Sequence, residues 1–412
     1  MLSRVVGICA AMFALYAACM GANADCLIKS GDRMVFLGDS ITEQRVYTRY
    51  VMNYFALRYP ENDVVFRNAG WVSDTAVGGT KRLQRDVLDL KPSVVSICYG
   101  MNDAGVTAYD QKIYDRYING ITELIDTLQQ NKIKVALITV GCVDESKAAR
   151  LKGYNDTLGR FAKQLCEFAK QRNVPCYNIH EPMLHVLNAG KAGNADFVMM
   201  NDGVHPQSNG HMVMAYGLIK SLGCESQAAQ VSVDAKTGKI DATGCKISDL
   251  QIKNDSVTFS RVDSAPPIFL DELAIEAVKY YPAFAEINDY ALKITGLRPG
   301  KWRLTVADGK SDSFEVGVYD NSDLAKGVNL AYSDGPWKKL AAEVNDLSRE
   351  QESAYYARWR QIQLGNIPAA ANPEKQALLD KLDSLCEGLA SERREKAKDS
   401  TKMWRWSLTL AD

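Results

Sequence analysis

The stretch MVFLGDSITEQRVYTRYV, from Met34 to Val51, decides how the first half of the chain folds. Met34 to Leu37 are apolar and run directly into Gly38-Asp39-Ser40, after which the pattern becomes that of an amphipathic helix. A strand that stops on a glycine and offers a serine at its tip reads in two ways. It is an ordinary turn with a helix cap, or it is the front of a nucleophile site. The choice depends on whether other segments bring a base, an orienting carboxylate and oxyanion donors to the same edge.

Working outward, apolar strand-like runs recur at 33–37, 63–68, 93–99, 134–140 and 174–179, with helix-length segments between them, clearest at 109–130 and 146–171. In the first of those helices Tyr114, Ile118, Ile121, Leu124, Ile125 and Leu128 keep helical spacing. Strand–helix alternation of this kind predicts a parallel sheet with helices on both faces, and short runs such as VALITV suit strands buried on both sides. Ligands of such sheets bind beyond the carboxyl ends of the strands, where strand order reverses. On that edge fall Ser40 after the first strand, Gly70 after the second, Asn102 and Asp103 after the third, and Asp202 with His205 before a late helix.

These residue types suit acyl transfer. Ser40 is the candidate nucleophile, which needs a base at neutral pH. His205 is the candidate base, and Asp202, three residues earlier, can orient the imidazole. The amides of Ser40 and Gly70 and the side-chain amide of Asn102 are candidate oxyanion donors, each typically worth about 10²–10³ in rate. Asp39 reads as a turn cap and Asp103 as a brace for its loop. Trp71, beside Gly70, either stacks on a sugar ring or packs as an ordinary aromatic. The other histidines are His180 and His185, read as structural or surface, and His211, on the helix that follows His205.

Gly38-Asp39-Ser40, Gly70, Gly100-Met101-Asn102-Asp103 and Asp202-Gly203-Val204-His205-Pro206 together resemble the blocks of the GDSL/SGNH hydrolase family. The resemblance covers roughly residues 30–222 and implies an α/β, flavodoxin-like three-layer sandwich with Ser40, Gly70, Asn102 and His205 as the family's four invariant types. NAGWVSDTA and CYGMNDAG look like an exported bacterial subgroup associated with carbohydrate esterases, in which Ser73 takes the place of a usual glycine.

The 412 residues exceed one average domain, and 46% hydrophobic with 24% charged residues is ordinary globular composition. A net charge of -1 with no basic cluster gives no case for nucleic acid. Residues 1–24 read as a signal peptide: Arg4, an apolar core and Ala22-Asn23-Ala24, with no stable membrane span after its removal. An uncleaved anchor and lipid attachment at Cys19 are the alternatives, within an exported, periplasmic or secreted protein. Eight cysteines remain beyond the leader. Their spacing gives no pairing and no zinc pattern, and Cys98 reads as a buried free thiol. The expected units are an esterase domain over 25–224, a small antiparallel β-rich unit over 225–335 and a helical extension over 336–412.

The expected activity is serine-dependent hydrolysis of a small acyl ester, acetyl on a carbohydrate, with no cofactor or metal. A lysophospholipase or thioesterase is the runner-up, and a non-catalytic glycan-binding protein on the same scaffold is the alternative of another class.

Overall fold

The computed structural model describes residues 26–224, 227–310, 312–366 and 371–411; the expected signal peptide with Cys19 lies outside them. Strands β1 (Arg33–Gly38), β2 (Val65–Gly70), β3 (Val94–Cys98), β4 (Lys134–Ile138) and β5 (Cys176–Tyr177) form one parallel sheet in the order β2-β1-β3-β4-β5. The chain turns from one side of β1 to the other between β2 and β3, so the strand order reverses at the tip of β1. Gly38 pairs with Gly70 on one side and Cys98 on the other, so three strands end level with one another. Met34, Val35, Phe36 and Leu37 are all buried, as a strand covered on both faces requires.

Helices α1 (Ser40–Glu43), α2 (Val46–Arg58), α3 (Ala76–Asp86), α4 (Gln111–Gln130), α5 (Tyr154–Gln171), α6 (His180–Gly193) and α7 (Ser208–Ser221) alternate with the strands. A disulfide between Cys26 and Cys224 joins the two ends of this unit, and the Leu27 amide donates to the Leu222 carbonyl beside it. Cys98 is a buried free thiol. One expectation changes. The helix after Ser40 is not amphipathic; α2 is buried almost all round, from Tyr47 to Arg58. Its outer face is covered by a helix from the far end of the chain.

That helix, α9 (Pro336–Tyr356), pairs with α10 (Asn372–Ala397). It buries Leu340, Ala341 and Val344 in the core of the parallel-sheet unit. A polar clasp adds to this: Thr48 Oγ1 donates to Glu352 at 2.8 Å and Asn53 Nδ2 to Asn345 at 3.0 Å. Residues 268–287, including α8 (Glu272–Val278), also bury Ile268, Leu270, Ala274 and Phe284 in the same core. The units therefore interlock instead of following one another.

Between them lie two further sheets. Strands β6 (Gln230–Asp234), β7 (Ile240–Thr243), β10 (Ala291–Thr295) and β13 (Val328–Asn329) pair in the order β13-β10-β6-β7, and β10 runs parallel to β6, so the unit is mixed and not wholly antiparallel. The second sheet has the order β12-β11-β14-β9-β8, from β8 (Cys245–Lys253), β9 (Ser256–Asp263), β11 (Lys301–Ala307), β12 (Ser313–Asp320) and β14 (Met403–Leu410). β14 lies in the stretch expected to be helical. It returns to the middle of this sheet because Trp406 and Leu408 alternate inward, where they join Phe259, Trp302 and Leu304 in a separate core.

Candidate active site

Everything at the site depends on the level ends of β1, β2 and β3. Ser40 opens α1, in the first turn, where a backbone amide has no intrahelical acceptor. Asp39 caps that helix, its carboxylate accepting from the Ile41 amide at 2.9 Å. Burial pushes the Asp39 carboxyl up to about 7, despite that hydrogen bond. Gly38 and Gly70 are glycines because the packing is tight. A Cβ on Gly38 would stand 2.7 Å from the Cys98 carbonyl, and one on Gly70 would strike the backbone of Glu43 and Thr42. The close approach that requires Gly70 is therefore to the nucleophile's own helix.

Ser40 Oγ lies 2.8 Å from His205 Nε2, and His205 Nδ1 lies 2.6 Å from Asp202 Oδ2. With Nδ1–H donating to the carboxylate, Nε2 is free to accept the serine proton. Asp202 Oδ1 also accepts the amides of Val204 at 2.9 Å and His205 at 2.8 Å, fixing the turn that presents the ring. Partial burial raises the Asp202 carboxyl, but the bonds from the His205 ring and amide and from Val204 outweigh it and hold the group at about 2. Asp202 thus stays ionised throughout the neutral range. The His205 and Asp202 side chains are 39% and 52% exposed, so the pair opens to solvent.

The oxyanion donors differ from expectation at one place. The Gly70 amide is not free: it donates to Asn68 Oδ1 at 2.9 Å. Asn68 is held for this by its own Nδ2, which donates to the Thr42 carbonyl at 2.8 Å. Asn102 Nδ2 donates to the Asp74 carbonyl at 2.9 Å, which uses one of its two N–H groups and leaves the other. Asp103 braces its loop, accepting from Ala76 at 2.8 Å and Gly100 at 3.0 Å. Burial pushes its carboxyl up to about 6. Ser73 takes the left-handed φ of 58° that suits a glycine, and the loop is tied down beside it through Asp74.

Trp71 is not presented as a free platform. The Arg360 guanidinium lies 3.5 Å from its ring centre, and Trp359 packs edge-on at 5.9 Å. Arg360 also donates to Glu43, three residues after Ser40, and Tyr356 donates to the same carboxylate, each at 3.2 Å. The C-terminal extension therefore forms one wall beside the site. His180 is buried, which lowers its pKa to about 4. His211 is fully buried, its Nε2 lying 3.1 Å from Gln44 Oε1.

A residue that sequence reasoning did not single out, Arg82, holds the edge together. Buried on α3, it donates to the carbonyls of Gly38 at 3.1 Å and Ala69 at 2.8 Å, to Tyr99 Oη at 2.8 Å and to Asp74 at 2.7 Å. One side chain thus spans the ends of all three strands that deliver the candidate site.

The sequence profile of the GDSL-like Lipase/Acylhydrolase family matches residues 36–213, the segment that contains all of these groups. That segment belongs to the GDSL/SGNH hydrolase family. The SGNH domain is a serine esterase acting on carboxylic esters. It is 26% identical over 220 residues to an acetylxylan esterase of Geobacillus stearothermophilus, a match covering 48% of this chain and 97% of that enzyme. A solved structure described as a gut microbial diltiazem-metabolizing enzyme superposes over 95% of this chain and 100% of its own, with a TM-score of 0.77 at 24% identity. The fold, with the two extra sheets and the helical extension, is thus shared along nearly the whole length. A crystal structure of an acetylxylan esterase from Geobacillus stearothermophilus covers 48% of this chain and 96% of its own, with 24% identity and a TM-score of 0.40.

The buried His211 carries a prediction about stability. Burial, then the charges of Arg49 and His205, lowers its pKa to about 3 from the ordinary 6.5. The fold therefore favours the neutral ring, and its contribution is complete above pH 6.5 and is lost as pH falls towards 3. His211→Gln should remove about 2–3 kcal/mol of the stability difference between pH 7 and pH 4.5, read by urea unfolding at both values. An unchanged difference would show that His211 is already protonated in the fold.

Proposed function

We propose that the SGNH domain removes small acyl groups, acetyl above all, from a carbohydrate by a two-step serine mechanism. Ser40 attacks the ester carbonyl while His205 takes its proton and passes it to the leaving alcohol. The Ser40 amide and the unused Asn102 N–H stabilise the negative charge that develops on the carbonyl oxygen, and Gly70 joins them only by giving up its bond to Asn68. Water then attacks the acyl-enzyme with His205 again as base, releasing the acid and restoring the serine. Asp202 keeps the imidazole in the required tautomer and stabilises its protonated form.

The observation that carries this reading is the unbroken hydrogen-bond chain from Ser40 through His205 to Asp202 at the edge where the strand order reverses. The similarity to an acetylxylan esterase supports acetylated carbohydrate as the substrate, and the exposed His205–Asp202 pair suits esters displayed on a polymer. Among the described residues no helix is long and apolar enough to cross a membrane, and the Cys26–Cys224 bond is of the kind that persists in oxidising compartments, which supports export.

Acetate release from acetylated xylan, measured beside nitrophenyl esters of increasing chain length, tests the substrate class. Acetyl esters should turn over at least as fast as octanoyl esters, because a long chain gains no burial at an open site. Preference for the octanoyl ester would instead favour the lipid or thioester hydrolase. Asp202→Asn should lower kcat by about 10²–10⁴ with little change in KM, since only the transition state gains from the carboxylate. A loss confined to KM would remove Asp202 from the proposed relay.

A further inference from the structure

Away from Ser40, the second sheet and the helical extension enclose a cleft of about 160 Å³. Most of its lining comes from three places: β9, β12 and β14, the first turns of α9, and the end of α10 with the chain that leads on to β14; Pro266 and Tyr290 complete it. The cleft therefore exists only because β14 returns to the sheet after the helices. Phe314 and Trp404 meet edge-to-face at 5.9 Å on the more open side. Trp406 and Trp337, stacked at 5.3 Å, and Tyr290 form the buried interior.

The polar part of the wall is as informative as the aromatic part. Lys339, Lys396 and Lys402 each pair with a carboxylate, to Asp312 at 3.7 Å, Glu343 at 3.3 Å and Asp399 at 3.1 Å. Among the described residues of the wall every ammonium is thus paired with a carboxylate, and their alternation suits a neutral ligand that both donates and accepts better than a phosphate or sulfate. Ser400, also on the wall, is only 7% exposed, and its hydroxyl has no hydrogen-bond partner among the described residues. A buried hydroxyl left unpaired costs roughly 1–3 kcal/mol, which a ligand hydroxyl would recover. The space is below the roughly 300 Å³ at which drug-sized pockets begin, which restricts the occupant to about one ring.

We propose that this cleft is a second carbohydrate site, which binds one neutral glycosyl unit of the polymer that the catalytic face deacylates. A pyranose ring presents an apolar C–H face to the aromatic side chains and hydroxyls that donate and accept at its edge, which matches both parts of the wall. The identity of the polymer rests on the proposed carbohydrate esterase activity; the aromatic cleft, its paired rim and the free Ser400 hydroxyl argue for a sugar ring on their own. Anchoring one unit here would raise the local concentration of neighbouring ester groups at Ser40 without a new contact at the reacting bond.

The test uses the full chain carrying Ser40→Ala, probed on an array of neutral plant and microbial oligosaccharides, acetylated and deacetylated. Binding should persist on deacetylated ligands, and Trp404→Ala should weaken it by about tenfold. Ser400→Ala should weaken it about three- to tenfold while leaving the melting temperature unchanged or higher, because it removes an unpaired buried hydroxyl. A merely structural serine would show the reverse: lower melting temperature and unchanged binding. With Ser40 intact, Trp404→Ala should slow acetate release from polymer several-fold and leave nitrophenyl acetate turnover within about twofold. Full affinity in both variants, or no binding to any neutral glycan, overturns the second site. Acetate release that ignores Trp404 overturns the site and leaves the esterase reading standing. Trp404-dependent glycan binding without hydrolysis of any acetylated glycan overturns the substrate and leaves the site standing.

Discussion

Ser40→Ala is expected to lower kcat on nitrophenyl acetate by about 10⁴–10⁶ while KM stays within a few-fold of wild type. The size of the effect follows from what the hydroxyl does. Its removal leaves His205 as a base with no nucleophile to activate, and the remaining rate comes from bound water and the oxyanion donors alone. The substitution should not disturb the fold: Ser40 is only part-buried, and its side chain's interaction is the 2.8 Å contact with His205. Melting temperature is therefore the control, expected to move by no more than about 2 °C. A burst of nitrophenol in wild type, absent in the variant, would report the acyl-enzyme directly. A variant that retained a tenth of the wild-type kcat would remove Ser40 from the role of nucleophile.

How much of this was legible before the structure depends on whether the signal was local. The tips of β1, β2 and β3 could be read because each strand announces itself by a short apolar run and ends on or within two residues of a glycine, Gly38, Gly70 or Gly100. The proximity of Asp202 and His205 was legible because one four-residue turn carries both. What depended on distant partners was not. Of the two readings open for Trp71, the structure favours the packed aromatic because Arg360, far along the chain, lies over its ring, and α2 loses its expected polar face because α9 covers it. The donor capacity of Gly70 is spent on Asn68, a choice made by side-chain packing and invisible in residue type. β14 is different: Trp404, Trp406, Leu408 and Leu410 alternate clearly, but the helical stripe before them drew the whole tail into one reading.

Arg82 gives the largest stability effect expected of any single substitution near the site. Arg82→Met keeps the length and volume of the stem but removes the guanidinium, leaving Asp74 and Asp86 facing one another across a buried space with one cation fewer. It also releases the carbonyls of Gly38 and Ala69, whose acceptors lose a charge-assisted bond each. Breaking a buried ion pair from one side typically costs about 3–5 kcal/mol, and denaturant unfolding should show a loss of that order. Arg82→Lys should restore only part of it, because an ammonium cannot span Gly38, Ala69, Tyr99 and Asp74 at once as the planar fork does. Activity separates two roles for this residue. If Arg82 aligns the three strand ends, both variants should lose kcat at temperatures where they remain folded, because Ser40 and Asn102 shift relative to each other while KM for a small ester changes little. If it contributes only packing, the folded fraction of Arg82→Lys should retain wild-type kcat. The first outcome is expected, since the guanidinium bonds to the backbone of β1 and β2 at the two residues that precede Asp39 and Gly70, and to the aspartate whose carbonyl holds Asn102.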